Sequence, residues 1–161
     1  MESVKIVEAD LNRPEHQEAI VELINAYAAD PMGNGAPLPD DVRRALIPGL
    51  QQHSTTLVFL AWQAGRAIGI AVCFRGFSTF QAKPLINIHD LAVSPECRGQ
   101  GVGRQLLEAV ECKARALGCC KLTLETQEKN RRAQRVYAAA GFAQAVYEEA
   151  AGGSLFFAKP L

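Results

Sequence analysis

The chain has no surplus of charge: seventeen basic residues face seventeen acidic ones, for a formal net charge of zero. That removes any chain-wide attraction to nucleic acid or to an anionic membrane, so a site for a polyanion has to be local. No apolar run approaches the ~20 residues needed to span a bilayer. The start, Met1-Glu2-Ser3-Val4-Lys5, lacks the basic-then-apolar pattern of a secretory leader. A cytoplasmic protein is expected. Cys73, Cys97, Cys112, Cys119 and Cys120 are odd in number and form no CxxC pair, which argues against a disulfide framework and against a zinc knuckle. No metal site is expected, and the thiols read as reduced core residues. Cys97 stands apart because it adjoins Arg98 beside a helix start, where a thiol pKa tends to fall. Internal repeats and low-complexity tracts are absent. What remains is 161 residues with 48% hydrophobic content, enough for one domain, 1–161, with a real core.

Val4 to Val7 alternates like a strand, and Asp10 to Asn12 offer capping groups before Pro14-Glu15 open a helix with Ile20, Leu23, Ile24 and Tyr27 on its apolar face. Residues 32–39 read as the most flexible stretch, followed by a short helix from Asp40 to about Leu46. Thr55 to Trp62 and Arg66 to Phe74 make a hairpin about Gln63-Ala64-Gly65, and Leu85 to Val93 is a further strand. Between Gly101 and Leu117, Val102, Leu106, Val110 and Ala114 lie at helical spacing, with Gly118 as the stop. Lys121 to Thr126, Asn130 to Ala140 and a last hairpin, Phe142–Glu149 with Ser154–Lys159, complete the chain. The order predicts an α/β fold of the α+β type: a twisted mixed sheet of about seven strands flanked by about four helices.

The most informative segment runs from His89 to Gly103. A short apolar strand meets a proline-marked turn, and an arginine-glycine loop then opens directly into an amphipathic helix. The first N–H groups of a helix lack intrahelical partners and sit at the positive end of its dipole, so such a junction holds phosphate. Gly99, Gly101 and Gly103 permit a sharp turn and close approach, and Arg98 and Arg104 are candidates for charge-assisted contacts. A Walker loop is excluded because no Gly-Lys-Ser/Thr follows, and the dinucleotide fingerprint fails because Arg104 occupies the place of its third glycine.

The residues match a family. Leu91-Ala92-Val93-x-Pro95 followed by Arg98-x-x-Gly101-x-Gly103 resembles the acyl-CoA loop of the GNAT superfamily of N-acetyltransferases, and Asn130-x-x-Ala133-x-x-x-Tyr137 with Gly141-Phe142 resembles that family's second cofactor element. The resemblance implies that the backbone of Leu91, Ala92 and Val93 pairs with the pantetheine arm of acetyl-CoA. It implies that amides from Arg98 through Gly99, Gln100, Gly101, Val102 and Gly103 to Arg104 hold the pyrophosphate. Asn130 then bonds the pantetheine, and Tyr137 directs its hydroxyl at the sulfur. The alternative reading of Tyr137 is core packing one turn after Ala133.

Direct attack on a thioester needs a neutral amine, and neutralising an alkylamine of pKa about 10.4 at pH 7 costs roughly 4–5 kcal/mol. A phenol suits the acid role toward the leaving thiolate, which Tyr137 would fill, and backbone N–H groups near Leu91 to Val93 could polarise the acyl carbonyl. His89 is the candidate base by position, against a structural reading as a hydrogen-bonded strand histidine. Strict alternation would put Asn87, His89, Leu91 and Val93 on one face and Ile88, Asp90 and Ala92 on the other, unless a bulge intervenes. Asp90 and Phe80 are candidates to contact the acceptor, while His16 and His53 read as solvated. The stretch from Phe77 to Leu85 with His89-Asp90-Leu91 is similar to the diamine and polyamine acetyltransferase branch, except that His89 stands where that branch has an acid. The expected acceptor is a small primary amine, polyamine or amino-acid-like. An aminoglycoside, a protein amine, and a non-catalytic acyl-CoA sensor or interaction module stay open. Leu155, Phe156 and Phe157 suggest a homodimer contact or a closed sheet edge.

Overall fold

The computed structural model describes residues 3–161; Met1 and Glu2, at the head of the stretch read for a leader, lie outside the described residues. The elements are β1 (Lys5–Glu8), α1 (Pro14–Ala29), α2 (Asp40–Gln52), β2 (Thr56–Gln63), β3 (Arg66–Ser78), β4 (Lys83–Val93), α3 (Val102–Ala116), β5 (Leu122–Leu124) and α4 (Arg131–Ala139). The strands form one sheet in chain order, antiparallel from β1 to β4, with β5 added parallel to β4. The β2–β3 hairpin turns on Ala64 and Gly65, both at positive φ (50° and 74°), as a two-residue loop between twisted strands requires.

Alternation along β2 divides the core in two. Val58 and Leu60 face Ile20 and Leu23 of α1 and Ile47 and Leu50 of α2, while Phe59 and Ala61 face Leu106, Val110 and Ala114 of α3. Ile20, Leu60, Ile86 and Leu106 are sealed from solvent, each contributing on the order of 1.5–3 kcal/mol of transfer free energy. Gly69 lets α3 settle on β3, since a Cβ there would lie 3.1 Å from Val102 Cγ1 and 3.2 Å from Leu106 Cδ1.

Two bulged residues break the period of two. Ile68 falls between the pairs Gly69–Ala61 and Ala67–Trp62, and so joins the α3 face although Ile70 faces α1. His89 falls between Asp90–Val72 and Ile88–Cys73. Beyond it the faces exchange parity: Leu91 and Val93 join Ile86 and Ile88 on the α3 side, and Ala92 joins the α1 side. The face assignment expected from strict alternation is therefore corrected.

Other expectations also shift. Among the described residues the sheet has five strands, where about seven were expected. In place of the last hairpin, a 3-10 turn at Glu149–Ala151 intervenes and a single backbone bond, Ser154 N–H to Ala145 O, joins the two segments. Leu155, Phe156 and Phe157 are all exposed, so no alternating buried face sets a strand register there. α2 continues through Pro48 to Gln52 because Ile47 and Leu50, buried against β2, anchor the turn around the proline. His16 is buried: its Nδ1 accepts from the Asp10 N–H at 2.9 Å and its ring packs 6.2 Å from Trp62. No described helix is long and apolar enough to cross a membrane.

Candidate functional site

β5 pairs with β4 only from Ile86 to Ile88. Asn87 Nδ2 donates to Thr123 Oγ1 at 3.1 Å across that short ladder, and beyond it β4 runs on to Val93 with no strand of the described residues on its outer side. The wedge so opened is a cavity of about 610 Å³, with Leu91, Ala92 and Val93 along one wall, the loop and first turn of α3 at one end, and Asn130, Val136 and Tyr137 of α4 opposite. An unpaired strand edge facing a cavity can accept an extended ligand as an added strand.

The loop after β4 is arranged as a cradle. Gly99 and Gly101 adopt φ of 78° and 80°, the left-handed region that costs a side-chain-bearing residue. Gly101 caps α3 without any side-chain bond, and no acidic residue occupies the first turn, so the leading N–H groups stay available. A Cβ on Gly103 would lie 3.8 Å from Val93 and 3.9 Å from Val136, clear of the protein but inside the space between them. The space it would take is open to a ligand. Four arginines and one carboxylate, Asp30, line the cavity, a local positive field in a chain of zero net charge.

The arginines are not equivalent. Arg98 Nε donates to Val93 O at 3.0 Å, and its Nη2 donates to Asp30 Oδ2 at 2.6 Å. Its side chain thereby braces the loop against the end of α1. That guanidinium, together with the Met32 N–H, holds the Asp30 carboxyl below the usual range. Arg104 Nε pairs with Glu108, one turn on, at 2.7 Å. Gln100 donates its amide to Glu96 O at 3.1 Å and is exposed.

α4 is framed at both ends. Asn130 Oδ1 caps it by accepting the Ala133 N–H at 3.1 Å, which leaves the amide NH₂ as the group a ligand could use. Gly141, at φ 88°, turns the chain so that the Phe142 N–H reaches Tyr137 O at 3.0 Å and the two rings meet at 6.1 Å. Tyr137 is thereby fixed toward the cavity. Burial, with Tyr27 nearby, pushes its phenol up to about 12, so it carries its proton throughout the neutral range.

The acceptor side departs from expectation. His89 is exposed, its ring edge-on to Phe74 at 5.5 Å, and Phe74 in turn meets His53 at 4.9 Å. Asp90 turns inward instead: desolvation raises its carboxyl above the ordinary value, only partly offset by His89. Burial raises the Tyr27 phenol, and Asp90 and Asp30 raise it further, placing Tyr27 among these groups. Cys73, sealed behind them, is pushed up to about 12 and is inert as a nucleophile. Cys97 is buried in the cavity wall. Phe80, in the β3–β4 turn, is 92% exposed and is not brought to the cavity. Asp90 lies seven residue steps beyond Lys83, about 23 Å along β4 at ~3.3 Å each.

Sequence reasoning missed Tyr27, Asp30, Arg132 and Arg135, all of which line the cavity. Tyr27 was read as part of α1's apolar face, and no local signal set it apart. Nor is the loop after α1 loose: Gly33, Asn34, Gly35 and Ala36 donate to carbonyls of Asp30 and Ala28, and Leu38 donates to Asn25 Oδ1. Gln127 closes the other side by donating to Met32 O and Gly33 O.

Residues 20–142 match the acetyltransferase (GNAT) family. The chain is 33% identical over 93 residues, 58% of its length and 62% of the relative's, to the uncharacterized N-acetyltransferase YhfO of Bacillus subtilis (strain 168). It is 34% identical over 74 residues, 46% of its length and 43% of the relative's, to a thialysine N-epsilon-acetyltransferase of Bos taurus. The matches thus span less than two thirds of these relatives. The fold is shared with the solved structure of AAC(6')-Iy in complex with the bisubstrate analog CoA-S-monomethyl-acetylneamine, at TM-score 0.77, 23% identity and 99% coverage of both chains.

Proposed function

The chain belongs to the acetyltransferase (GNAT) family, and from that premise we propose that it transfers acetyl from acetyl-CoA to a primary amine of a small acceptor by direct attack. One observation carries the reading: the outer edge of β4, freed beyond the His89 bulge, leads into the uncapped N-terminus of α3 while Tyr137 faces it across the same cavity. The donor set fits the thioester co-substrate. A free strand edge suits an amide-bearing arm, unpartnered helix N–H groups suit a pyrophosphate, and the gap at Gly103 is one that a Cβ would fill. Acetyl-CoA supplies an activated acyl group. A bovine relative is named for thialysine and a fold neighbour was solved with an acetylneamine analog, both amines, which supports an amine acceptor.

The chain's own residues divide the proton work. Tyr137, protonated at neutral pH, donates from its hydroxyl to the leaving sulfur. Asp90, raised by desolvation and half-buried, receives the proton of the acceptor ammonium, directly or through water, more readily than an exposed carboxylate does. His89, at the surface beside Phe74, flanks the acceptor's entry. Backbone N–H groups of Leu91 to Val93 orient the acyl carbonyl. Calorimetry with acetyl-CoA, followed by thiol release across a panel of polyamines, amino acids, aminoglycosides and peptide N-termini, tests the proposal. Binding with release on one amine class supports it. Binding without release on any amine favours a sensor, and no binding removes the co-substrate.

A further inference from the structure

A second cavity, of about 250 Å³, lies apart from the one beside β4 and shares no lining residue with it. Arg115 of α3, Leu122 of β5 and Phe142, just past α4, line it together with Cys119 and Cys120. Successive side chains on an extended chain point apart, but the chain bends at Cys120, and both cysteines are half-buried, unbridged and set on the one cavity. The backbone there is pinned on both sides. Gly118, at φ 69°, ends the helix, the Cys119 N–H donates to Ala114 O at 2.9 Å, and the Cys120 N–H donates to Pro84 O of β4 at 2.8 Å. The cations on the rim are already engaged, Arg115 with Glu111 at 2.6 Å and Lys121 over the Tyr147 ring at 5.4 Å. Two neighbouring thiols are the reactive groups left in the wall.

We propose that Cys119 and Cys120 form a vicinal dithiol site for a small monosubstituted trivalent arsenical. Two donors are too few for structural zinc, which asks for four ligands, and no group of three or more histidine, cysteine or carboxylate side chains that could hold a metal ion occurs among the described residues. Trivalent arsenic with one carbon substituent needs only two sulfurs. On methylarsenous acid both As–OH bonds break, two As–S bonds form, and each hydroxyl leaves as water with one thiol proton, arsenic staying trivalent. The second bond closes within the protein, so the neighbouring thiol acts at high effective concentration and outcompetes a monothiol in solution. Simple alkylation is disfavoured by contrast. Desolvation, with Cys120 beside it, raises the Cys119 thiol above its ordinary value against the pull of Arg75, so little thiolate is present at neutral pH. The cavity is smaller than the ~300–1,000 Å³ typical of drug-sized ligands, which restricts the substituent to a methyl or similar group. Phe142 links the site to the larger cavity: its ring lies 6.1 Å from that of Tyr137, and its N–H donates to Tyr137 O at 3.0 Å.

Native mass spectrometry of the reduced full chain with methylarsenous acid, in excess glutathione, tests this on wild type, Cys119→Ser, Cys120→Ser and Cys112→Ser, Cys112 being exposed on α3 outside the cavity. Wild type and Cys112→Ser are expected to hold one methylarsenic group per chain with loss of two thiol protons. Each of the other two variants should bind at least about 100-fold more weakly, the intramolecular closure being gone. A second measurement needs no variant: the Phe142 amide resonance of wild type should shift on loading. Retention in Cys119→Ser or Cys120→Ser, loss in a folded Cys112→Ser, or no retention by wild type against glutathione overturns the site. So does an unmoved Phe142 resonance with arsenic bound, which would put the adduct outside the cavity.

Discussion

The two ends of the cavity are built on different principles. The phosphate end comes from one contiguous stretch, Arg98 to Arg104, and its chemistry belongs to the backbone: two left-handed glycines and a helix start without a cap. The proposed acceptor end gathers side chains from α1 and the loop after it, Tyr27 and Asp30 in the cavity wall, with Asp90 of β4 close enough to Tyr27 to raise its phenol. Any chain that makes the turn supplies the N–H groups, so the first end tolerates many side chains. The second end depends on which way each side chain points, and one extra residue in a strand reverses that.

The largest expected effect sits where the two ends meet. Tyr137→Phe removes the proposed acid while keeping the ring on Phe142, and should lower kcat by about 10²–10³-fold with acetyl-CoA affinity nearly unchanged. A change confined to affinity would move Tyr137 from chemistry to packing.

Next comes the choice between neighbours in β4. Asp90→Asn should lower kcat by about 10–100-fold, whereas His89→Ala should cost less than about threefold. Stability should move the opposite way. Desolvation raises the folded-state pKa of Asp90, so ionising it opposes folding as pH rises above the unfolded value. At pH 7 the neutral amide should therefore raise Tm, by about 2–4 °C for each kcal/mol relieved. The acid limb of the wild-type kcat/KM profile should lie above the ordinary aspartate range and vanish in Asp90→Asn. If it vanishes in His89→Ala instead, the imidazole is the base.

What was legible in the sequence follows the same division. The order of elements, the helix from Val102 and the glycine cradle were readable because periodicity and glycine spacing are local. The parity of Leu91 and Val93 was not, because the bulge at His89 is set by pairing with Val72 and Cys73 on another strand. The side-chain pairing of Arg98 was not legible because its partner, Asp30, lies 68 positions away. The final hairpin failed for a related reason. Alternation was inferred for residues that bury nothing, and a strand register needs a buried face to hold it.

A glycine substitution separates backbone from side-chain recognition more finely. Gly103 has no positive φ, and a Cβ there clears the protein at 3.8 Å, so Gly103→Ala should stabilise α3, by about 0.5–1 kcal/mol. The same methyl enters the cradle and should weaken acetyl-CoA binding about tenfold, or ~1.4 kcal/mol. A protein that melts higher yet binds worse identifies the gap as the ligand's. Gly101→Ala, at φ 80°, should lose stability as well as binding, at about 1–2 kcal/mol of backbone strain.

The smallest effect concerns the one pair that ties the two ends together. Arg98→Ala leaves the Asp30 carboxylate, its side chain 14% exposed, with the Met32 N–H and only the longer-range field of Arg132. The loss should be about 1 kcal/mol, or 2–4 °C in Tm, because the arginine is itself partly solvated. Its pH dependence has a definite sign. Arg98 holds the Asp30 pKa below its unfolded value, so the stabilisation is present above about pH 4 and disappears as pH falls through the lowered value. Wild type and Arg98→Ala should thus differ in Tm at pH 7 and converge in acid. Melting curves at both pH values, with acetyl-CoA titrations beside them, decide what Arg98 does. An unmoved Tm with a tenfold loss of acetyl-CoA affinity would return Arg98 to the phosphate and dissolve the boundary between the two ends. A Tm shift that converges in acid keeps Arg98 as the brace through which the acceptor loop holds the cradle.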